Sequence, residues 1–510
     1  MTHLDEDHRL FDQEAANEPE GIEDLEEYCE DGLHPVDILD ILDGRFEVCH
    51  KLGSGGIATV WLCYEAAQKR WRAVKINAAS RSSGDSAELI IDRIFKEQAV
   101  TTRHLDMHHI AIAEETFWIE GPNGKHLCSV LPVLGPNLQH WRHMSMGLSA
   151  TRINKVCYEI TEGLQFLHEH GICHADFRPQ NILMRLADGG LDHLDPDDLF
   201  RLISLPRQHK VQTLNGEHSP NAPKWVVEPL RWFELKSLVS DSAVIVDFGE
   251  AFEVTSIPEY LGIPRTYASP EITYGEEPVG TESDVWSLAL TLMEARTGLR
   301  LGEIPSSPLN RMESFAGPIP PPYRSLAAEE LYHDELPSQA EGESCQDAQD
   351  SSPDGIEEIL GQELREKVLV PKEGNIGREE TATKMIPYRI PENELAILAD
   401  LLRRMLKYKP SDRLSTSSVL EHPWFKIGMK SGQINTEEPF KQVLRSKSRE
   451  SRPADKEPEK SKSKRNTNDQ VDARIGRPQA LLSILPGQMV LCSSILIPVL
   501  ISSIILWSYR

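Results

Sequence analysis

From Arg45 onward the chain is written in short apolar runs, Phe46-Glu47-Val48, Thr59 to Tyr64 and Trp71 to Ile76, set apart by polar or glycine-rich turns. Runs of that length and spacing predict an antiparallel sheet. Ala87 to Phe95 carries a helical apolar stripe, and His126 to Leu134 returns to strand before Gly135-Pro136 ends it. Beyond that turn helices dominate. Arg152 to His170 places Ile153, Val156, Cys157, Ile160, Leu164 and Leu167 on one face and stops at Gly171, a residue suited to ending helices. Glu394 to Leu406 is a further amphipathic helix, and Leu420 to Phe425 closes the globular text. The pattern predicts an α+β fold: a small β-rich lobe over 45–135, then a larger helical lobe over 136–426.

Two stretches interrupt the second lobe. About 184–242 mixes Asp, Pro, His and Asn with little periodicity, and about 304–391 is rich in Pro, Ser and acid, so both read as surface inserts. Residues 1–44 form an acidic arm and lead-in, of which the part to about residue 35 has too little apolar surface to fold alone and reads as mobile. At the other end, 427–477 is a linker whose Lys441 to Arg477 part is Lys/Arg/Ser-rich, and 478–510 is an apolar tail.

Within that tail Met489 to Trp507 is apolar apart from serines. As a helix it would be roughly 28 Å long, enough for a bilayer core. Trp507, Tyr509 and Arg510 would then sit at one interface, with the basic stretch on the cytosolic side. Three readings stay open: a membrane anchor, a docking peptide, or translated non-coding sequence.

Charge and cysteine usage narrow the class of protein. A net charge of −26 speaks against direct nucleic-acid binding and favours basic partners, although acidity also serves plain solubility. Eight cysteines with no CxxC pair indicate neither a zinc site nor a disulfide framework, which fits the reducing cytosol or nucleus. Met1 to Asp7 lacks the basic start and apolar run of a signal peptide.

The candidate chemistry is phosphate chemistry. Leu52-Gly53-Ser54-Gly55-Gly56-Ile57-Ala58-Thr59-Val60 joins two strand runs by a turn whose backbone N–H groups can approach phosphate oxygens, though many hairpins look alike. Lys75, in Ala73-Val74-Lys75-Ile76, would point at the α- and β-phosphates; the bland alternative is a surface lysine on an edge strand. In His174-Ala175-Asp176-Phe177-Arg178-Pro179-Gln180-Asn181 the spacing is HxDxxxxN, with Asp176 to accept or orient a hydroxyl proton and Asn181 to hold Mg2+. Asp247-Phe248-Gly249 follows an apolar strand and supplies the main Mg2+ ligand, and Ser269-Pro270-Glu271 stands at the distance that ends an activation segment. Each occurs once, in one order.

That order resembles the protein kinases, and implies a two-lobed kinase fold that uses ATP and Mg2+. Loose phosphoryl-transfer transition states ask the protein for positioning and charge. Arg178 takes the place of the lysine beside the γ-phosphate, and Arg178-Pro179 favours Ser and Thr hydroxyls over Tyr. Val133 and Leu134, with Ala73, would complete the nucleotide wall. For the helix partner of Lys75 there are two candidates, Glu88 and Glu97; Glu88 is preferred because it lies inside the apolar stripe. Glu271 is expected to pair with Arg413, and Asp284 to anchor a helix, against ordinary helix capping as the bland reading.

Glu27 to Val36, Thr59-Val60-Trp61-Leu62, and Gly121-Pro122-Asn123-Gly124-Lys125-His126-Leu127-Cys128 with Val133-Leu134-Gly135 are similar to the SR-protein kinase family. The likeness runs roughly from Glu27 to Phe425 apart from the inserts. It implies basic Arg/Ser-rich protein substrates, a cytoplasmic or nuclear place of work, and, with Ala175 before the catalytic Asp, no phosphorylated activation loop to clamp. The chain departs from the family at Ala58 for the third glycine, at Arg178, and at Leu131-Pro132 where Phe-Glu is usual; Pro132 removes an N–H but keeps its carbonyl. Ala175, Arg178 and Pro132 together motivate a second reading, a nucleotide-binding pseudokinase scaffold, tethered to a membrane if the tail inserts.

Overall fold

The computed structural model describes Phe11 and residues 21–144, 149–187, 189–275, 277–299, 301, 308–321, 323, 355–361, 364–371 and 381–430. All of these belong to one compact unit, Met1–Lys447; a second unit, Ser448–Arg510, lies outside them. The Lys/Arg/Ser-rich stretch and the apolar tail therefore fall outside the described residues, among which no helix is long and apolar enough to cross a membrane.

The small lobe is a six-stranded antiparallel sheet in the order β1-β2-β3-β4-β6-β5, made of β1 (Ile41–Leu42), β2 (Phe46–Gly55), β3 (Ala58–Glu65), β4 (Arg70–Asn77), β5 (Glu115–Gly121) and β6 (Gly124–Leu131). Its pleat sends side chains alternately to two faces, and both faces are used. Phe46, Val48, Trp61, Cys63, Val74, Ile76, Cys128 and Val130 form one core with Val36 of the lead-in. Leu62 and Trp71, one residue out of phase with those, join a different cluster. Helix α1 (Ala87–Glu97) follows, burying Ile91, Ile94 and Phe95, and α2 (Thr102–Met107) starts at a Thr101 cap.

The large lobe starts with α3 (Leu138–Met144) and α4 (Ala150–Glu169), which Ser149 caps. The short strands β7 (Ile172–Cys173) and β8 (Ile182–Leu186) bracket the loop that holds Asp176 and Asn181. Next come α5 (Pro196–Leu202), β9 (Gln208–Lys210), β10 (Trp225–Val227), β11 (Val239–Ile245), β12 (Phe252–Glu253), α6 (Pro270–Tyr274) and α7 (Thr281–Thr297). Helix α7 is buried at every position from Ser283 to Thr297, so it runs through the lobe's core instead of showing an apolar stripe. The chain continues through α8 (Pro308–Ala316), α9 (Gly355–Gly361), a hairpin of β13 (Leu364–Pro371) and β14 (Thr381–Tyr388), then α10 (Glu392–Met405), α11 (Thr416–Leu420) and α12 (Pro423–Lys430). Buried Arg296 binds Glu394 through Nε and Nη2 at 2.5 and 2.6 Å, and Trp424 Nε1 donates to the same carboxylate at 3.2 Å, which ties α7, α10 and α12 together.

Three expectations need correction. The lead-in is not loose from Gly21 on: Tyr28, Leu33 and Val36 are buried, and Glu23 pairs with buried Lys51 while accepting the Tyr28 hydroxyl at 2.6 Å. It cannot fold alone, but it docks its few apolar groups on surface that other segments supply. The insert after β8 is likewise no surface appendage. Its Leu191, Leu199, Ile203, Leu230, Trp232, Phe233 and Leu235 pack with Cys49, Leu62 and Trp71 of the sheet, while Asp192 accepts the Trp71 backbone N–H at 2.6 Å and the Leu194 carbonyl accepts Trp71 Nε1–H at 2.8 Å. In the second insert, Met312, Phe315, Ile356 and Leu360 enter the main core of the large lobe.

Lead-in, sheet and insert meet at Asn123. Its Nδ2 donates to the Leu33 carbonyl at 2.6 Å and to the Asn221 carbonyl at 2.7 Å, and its Oδ1 accepts from Asn221 Nδ2 at 2.7 Å.

Candidate active site

Turn residues set the roof of the cleft. A Cβ added at Gly53, Gly55 or Gly56 would meet nothing within 4 Å, so protein packing does not require glycine there. The open side is space that a phosphate could approach without side chains in its way. Leu52 to Ala58 and Val60 line the cleft. Thr59 is turned from it, buried and accepting Trp61 Nε1–H at 3.0 Å.

Below the roof, Lys75 Nζ lies 2.6 Å from Glu88 Oε1 and 2.8 Å from Asp247 Oδ1. Asn77 Nδ2 fixes the other Glu88 oxygen at 3.0 Å, whereas Glu97 is exposed at the end of α1. Burial works against the Lys75 charge, but Asp247 and Glu88 outweigh it and raise the ammonium above its usual range. Burial also works against Asp247, yet Lys75 holds its carboxyl below the ordinary value.

The loop that carries Asp176 is held from beneath. Ala175 has φ of 60° and Asp247 of 67°, left-handed values that cost strain in residues with a side chain. Asp284 of α7 stabilises the first by accepting the N–H of His174 at 2.8 Å and of Ala175 at 2.9 Å, and it also meets His168 Nε2 at 3.0 Å. His174 Nε2 reaches the Val246 carbonyl at 3.1 Å, binding the loop to the residue before Asp247.

Asp176 is gripped on both oxygens. Arg178 Nε–H is shared between Oδ1 and Oδ2 at 2.9 and 3.0 Å, and Asn181 Nδ2 donates to Oδ2 at 2.6 Å and to the Asp176 carbonyl at 2.9 Å. Burial pushes the Asp176 carboxyl above its usual range, an effect that the charges of Arg178 and His174 only partly offset. With both amide hydrogens of Asn181 spent on Asp176, its Oδ1 has no partner among the described residues. That oxygen and the Asp247 carboxylate are hard donors on the same cleft, the donor set that suits Mg2+.

At the back edge, Ala73 pairs with Leu131 in the sheet, and Leu131, Pro132 and Leu134 line the cleft. No described residue takes the Pro132 carbonyl or the Leu134 N–H. Val133 is not on this wall; its side chain packs against the insert cluster. Farther down, Arg413 forks onto Glu271, Nη1 to Oε1 and Nη2 to Oε2 at 2.6 Å each, with both side chains fully buried and Ser283 Oγ donating to the same carboxylate at 2.6 Å. Sequence reasoning gave no part to His174, which joins the loop to Val246, or to Glu250, which lines the cleft directly after Asp247-Phe248-Gly249.

A family model described as the protein kinase domain matches residues 46–195 and 238–425, passing over 196–237 of the insert. SRSF protein kinase 3 of Homo sapiens is 35% identical over 185 residues, which cover 35% of this chain and 32% of that protein. Protein kinase dsk1 of Schizosaccharomyces pombe is 36% identical over 182 residues, 34% of this chain and 32% of that one. Serine/threonine-protein kinase AFC3 of Arabidopsis thaliana is 25% identical over 408 residues, 78% of this chain and 86% of that one. The chain thus spans about a third of the length of the first two relatives.

Proposed function

Because the chain belongs to the protein kinase domain family, we propose that it transfers the γ-phosphate of ATP to serine and threonine hydroxyls, by preference in Arg/Ser-rich protein segments of the cytosol or nucleus. The observation that carries this reading is the convergence of Lys75, Glu88, Asp247, Asp176 and Asn181 on one cleft. Asp176 takes or orients the proton of the acceptor hydroxyl. Arg178 spends Nε on Asp176 and keeps its two terminal amino groups for the γ-phosphoryl oxygens. Lys75, held upright by Glu88, offers its charge to the α- and β-phosphates, and the Pro132 carbonyl and Leu134 N–H offer the edge of the hinge to the base. Asn181 and Asp247 would hold Mg2+, which supplies positive charge to the phosphate oxygens.

The substitutions that motivated a scaffold reading are accommodated. Asp284 holds the backbone turn at Ala175, Arg178 reaches Asp176, and Pro132 keeps its carbonyl. For the substrate class, support comes from the likeness to relatives named as SRSF protein kinases and from the net charge of −26, which complements a basic peptide.

A peptide panel tests the preference. With serine flanked by arginines, kcat/KM is expected to exceed that for serine flanked by acids by about ten-fold or more, an electrostatic difference of ~1.4 kcal/mol, and tyrosine peptides should go unlabelled. Equal use of acidic and basic peptides would defeat the Arg/Ser assignment.

A further inference from the structure

The activation segment leaves the cleft at Asp247 and returns to the large-lobe core at Ile263, Tyr267 and Ala268, which are buried. In between, β12 pairs with β7, putting Phe252 against Cys173 and Ala175, and residues 254–260 are then exposed. One side chain closes this excursion. Glu250 Oε2 accepts the Gly262 N–H at 2.7 Å, and Arg81 Nη1 of the small lobe lies 3.5 Å from Glu250 Oε1. The fit is close: a Cβ at Gly262 would stand 2.7 Å from Glu250 Oε1 and 3.0 Å from its Cδ. Both residues line the cleft.

We propose that Glu250 is a positioning residue for the protein substrate: its carboxylate staples the two ends of the exposed excursion and so fixes the stretch from Gly262 to Ala268 as a platform for the peptide. The inference deepens the kinase reading and rests on it. Where the segment passes the small lobe, the negative charge that faces Arg81 and the Gly262 N–H is carried by a side chain of the segment itself. Ala175 offers no guanidinium to a phosphate, whereas Glu250 has a backbone donor at 2.7 Å and a guanidinium at 3.5 Å. Beyond Gly262 the platform is secured to α7, where Ser287 Oγ donates to the Tyr267 carbonyl at 2.9 Å, and the staple adds a hydrogen bond at the end next to the exposed excursion. Losing a charge-assisted hydrogen bond of this kind corresponds to roughly ten-fold or more in an equilibrium.

The test uses the full chain as wild type before and after phosphatase treatment, and as Glu250→Ala, Glu250→Gln, Gly262→Ala and the Glu250→Ala/Gly262→Ala pair, each without it. Amide hydrogen exchange over 254–263 and separate KM values for ATP and an Arg/Ser peptide are measured. Expected are unchanged exchange and KM in phosphatase-treated wild type. Glu250→Ala should speed exchange and raise the peptide KM about ten-fold with the ATP KM within about two-fold; Glu250→Gln should restore part of both, and the double variant should add little to either single one. The proposal is overturned if Glu250→Ala leaves exchange and peptide KM unchanged, if it raises both KM values alike, or if phosphatase alone reproduces it. A wild type that transfers no phosphate, yet whose exchange responds to Glu250 as stated, would sink the kinase reading and leave the staple standing.

Discussion

Asp176 illustrates how one buried carboxylate is kept usable. Burial raises its pKa, and the guanidinium of Arg178 opposes that rise from 2.9 Å. A raised pKa means that the carboxylate takes up its proton sooner as pH falls, so the acid limb of kcat should lie above the ordinary carboxylate range. Removing the opposing charge in Arg178→Ala should move that limb to still higher pH and lower kcat on the order of 10²-fold. A limb that stays in place or moves down would show that Arg178 does not act on Asp176. That Lys75, Asp176, Asn181 and Asp247 would meet in one cleft was legible in the sequence because type and spacing carry the information. Glu88 was legible from its place in an apolar stripe. Thr59 and Val133 were not, since strand alternation turns one into the sheet and the hinge turns the other toward an insert that periodicity does not reveal. Glu250 was silent because its partner is a backbone amide twelve positions away in irregular chain.

Elements of regular period could be read directly: α1, α4 and α10 lie within a few residues of where their apolar stripes put them. The insert between β8 and β11 could not, because its apolar residues sit in turns and short helices whose partners are on the sheet. Asn123 shows what such joints require. It stands in a run that sequence likeness singles out, yet only the fold shows why, through its bonds to Leu33 and Asn221 at 2.6 and 2.7 Å. Truncation to alanine would leave the buried Leu33 carbonyl and the half-buried Asn221 carbonyl without this partner. Asn123→Ala is therefore expected to lower unfolding free energy by about 1–3 kcal/mol in urea titration, while a change within ~0.5 kcal/mol would mean that the joint is incidental.

For the molecule as a whole, the division into a β-rich and a helical lobe followed from the switch in period near Gly135, and the fully buried α7 explains why no single stripe marks the large lobe's centre. The lead-in and the first insert make the small lobe larger than its sheet. They seat Lys51, Glu23 and Trp71 in places that a bare sheet would expose to water. The net charge of −26 agrees with a basic substrate, but the charge alone does not make an enzyme. The catalytic claim rests on the cleft. It is tested most directly by single-turnover transfer of labelled γ-phosphate from ATP with Mg2+ to an Arg/Ser peptide, comparing wild type with Asp176→Ala. Label on the peptide with wild type, reduced roughly 10²-fold or more in the variant, is the predicted result; equal label from both proteins would contradict the account.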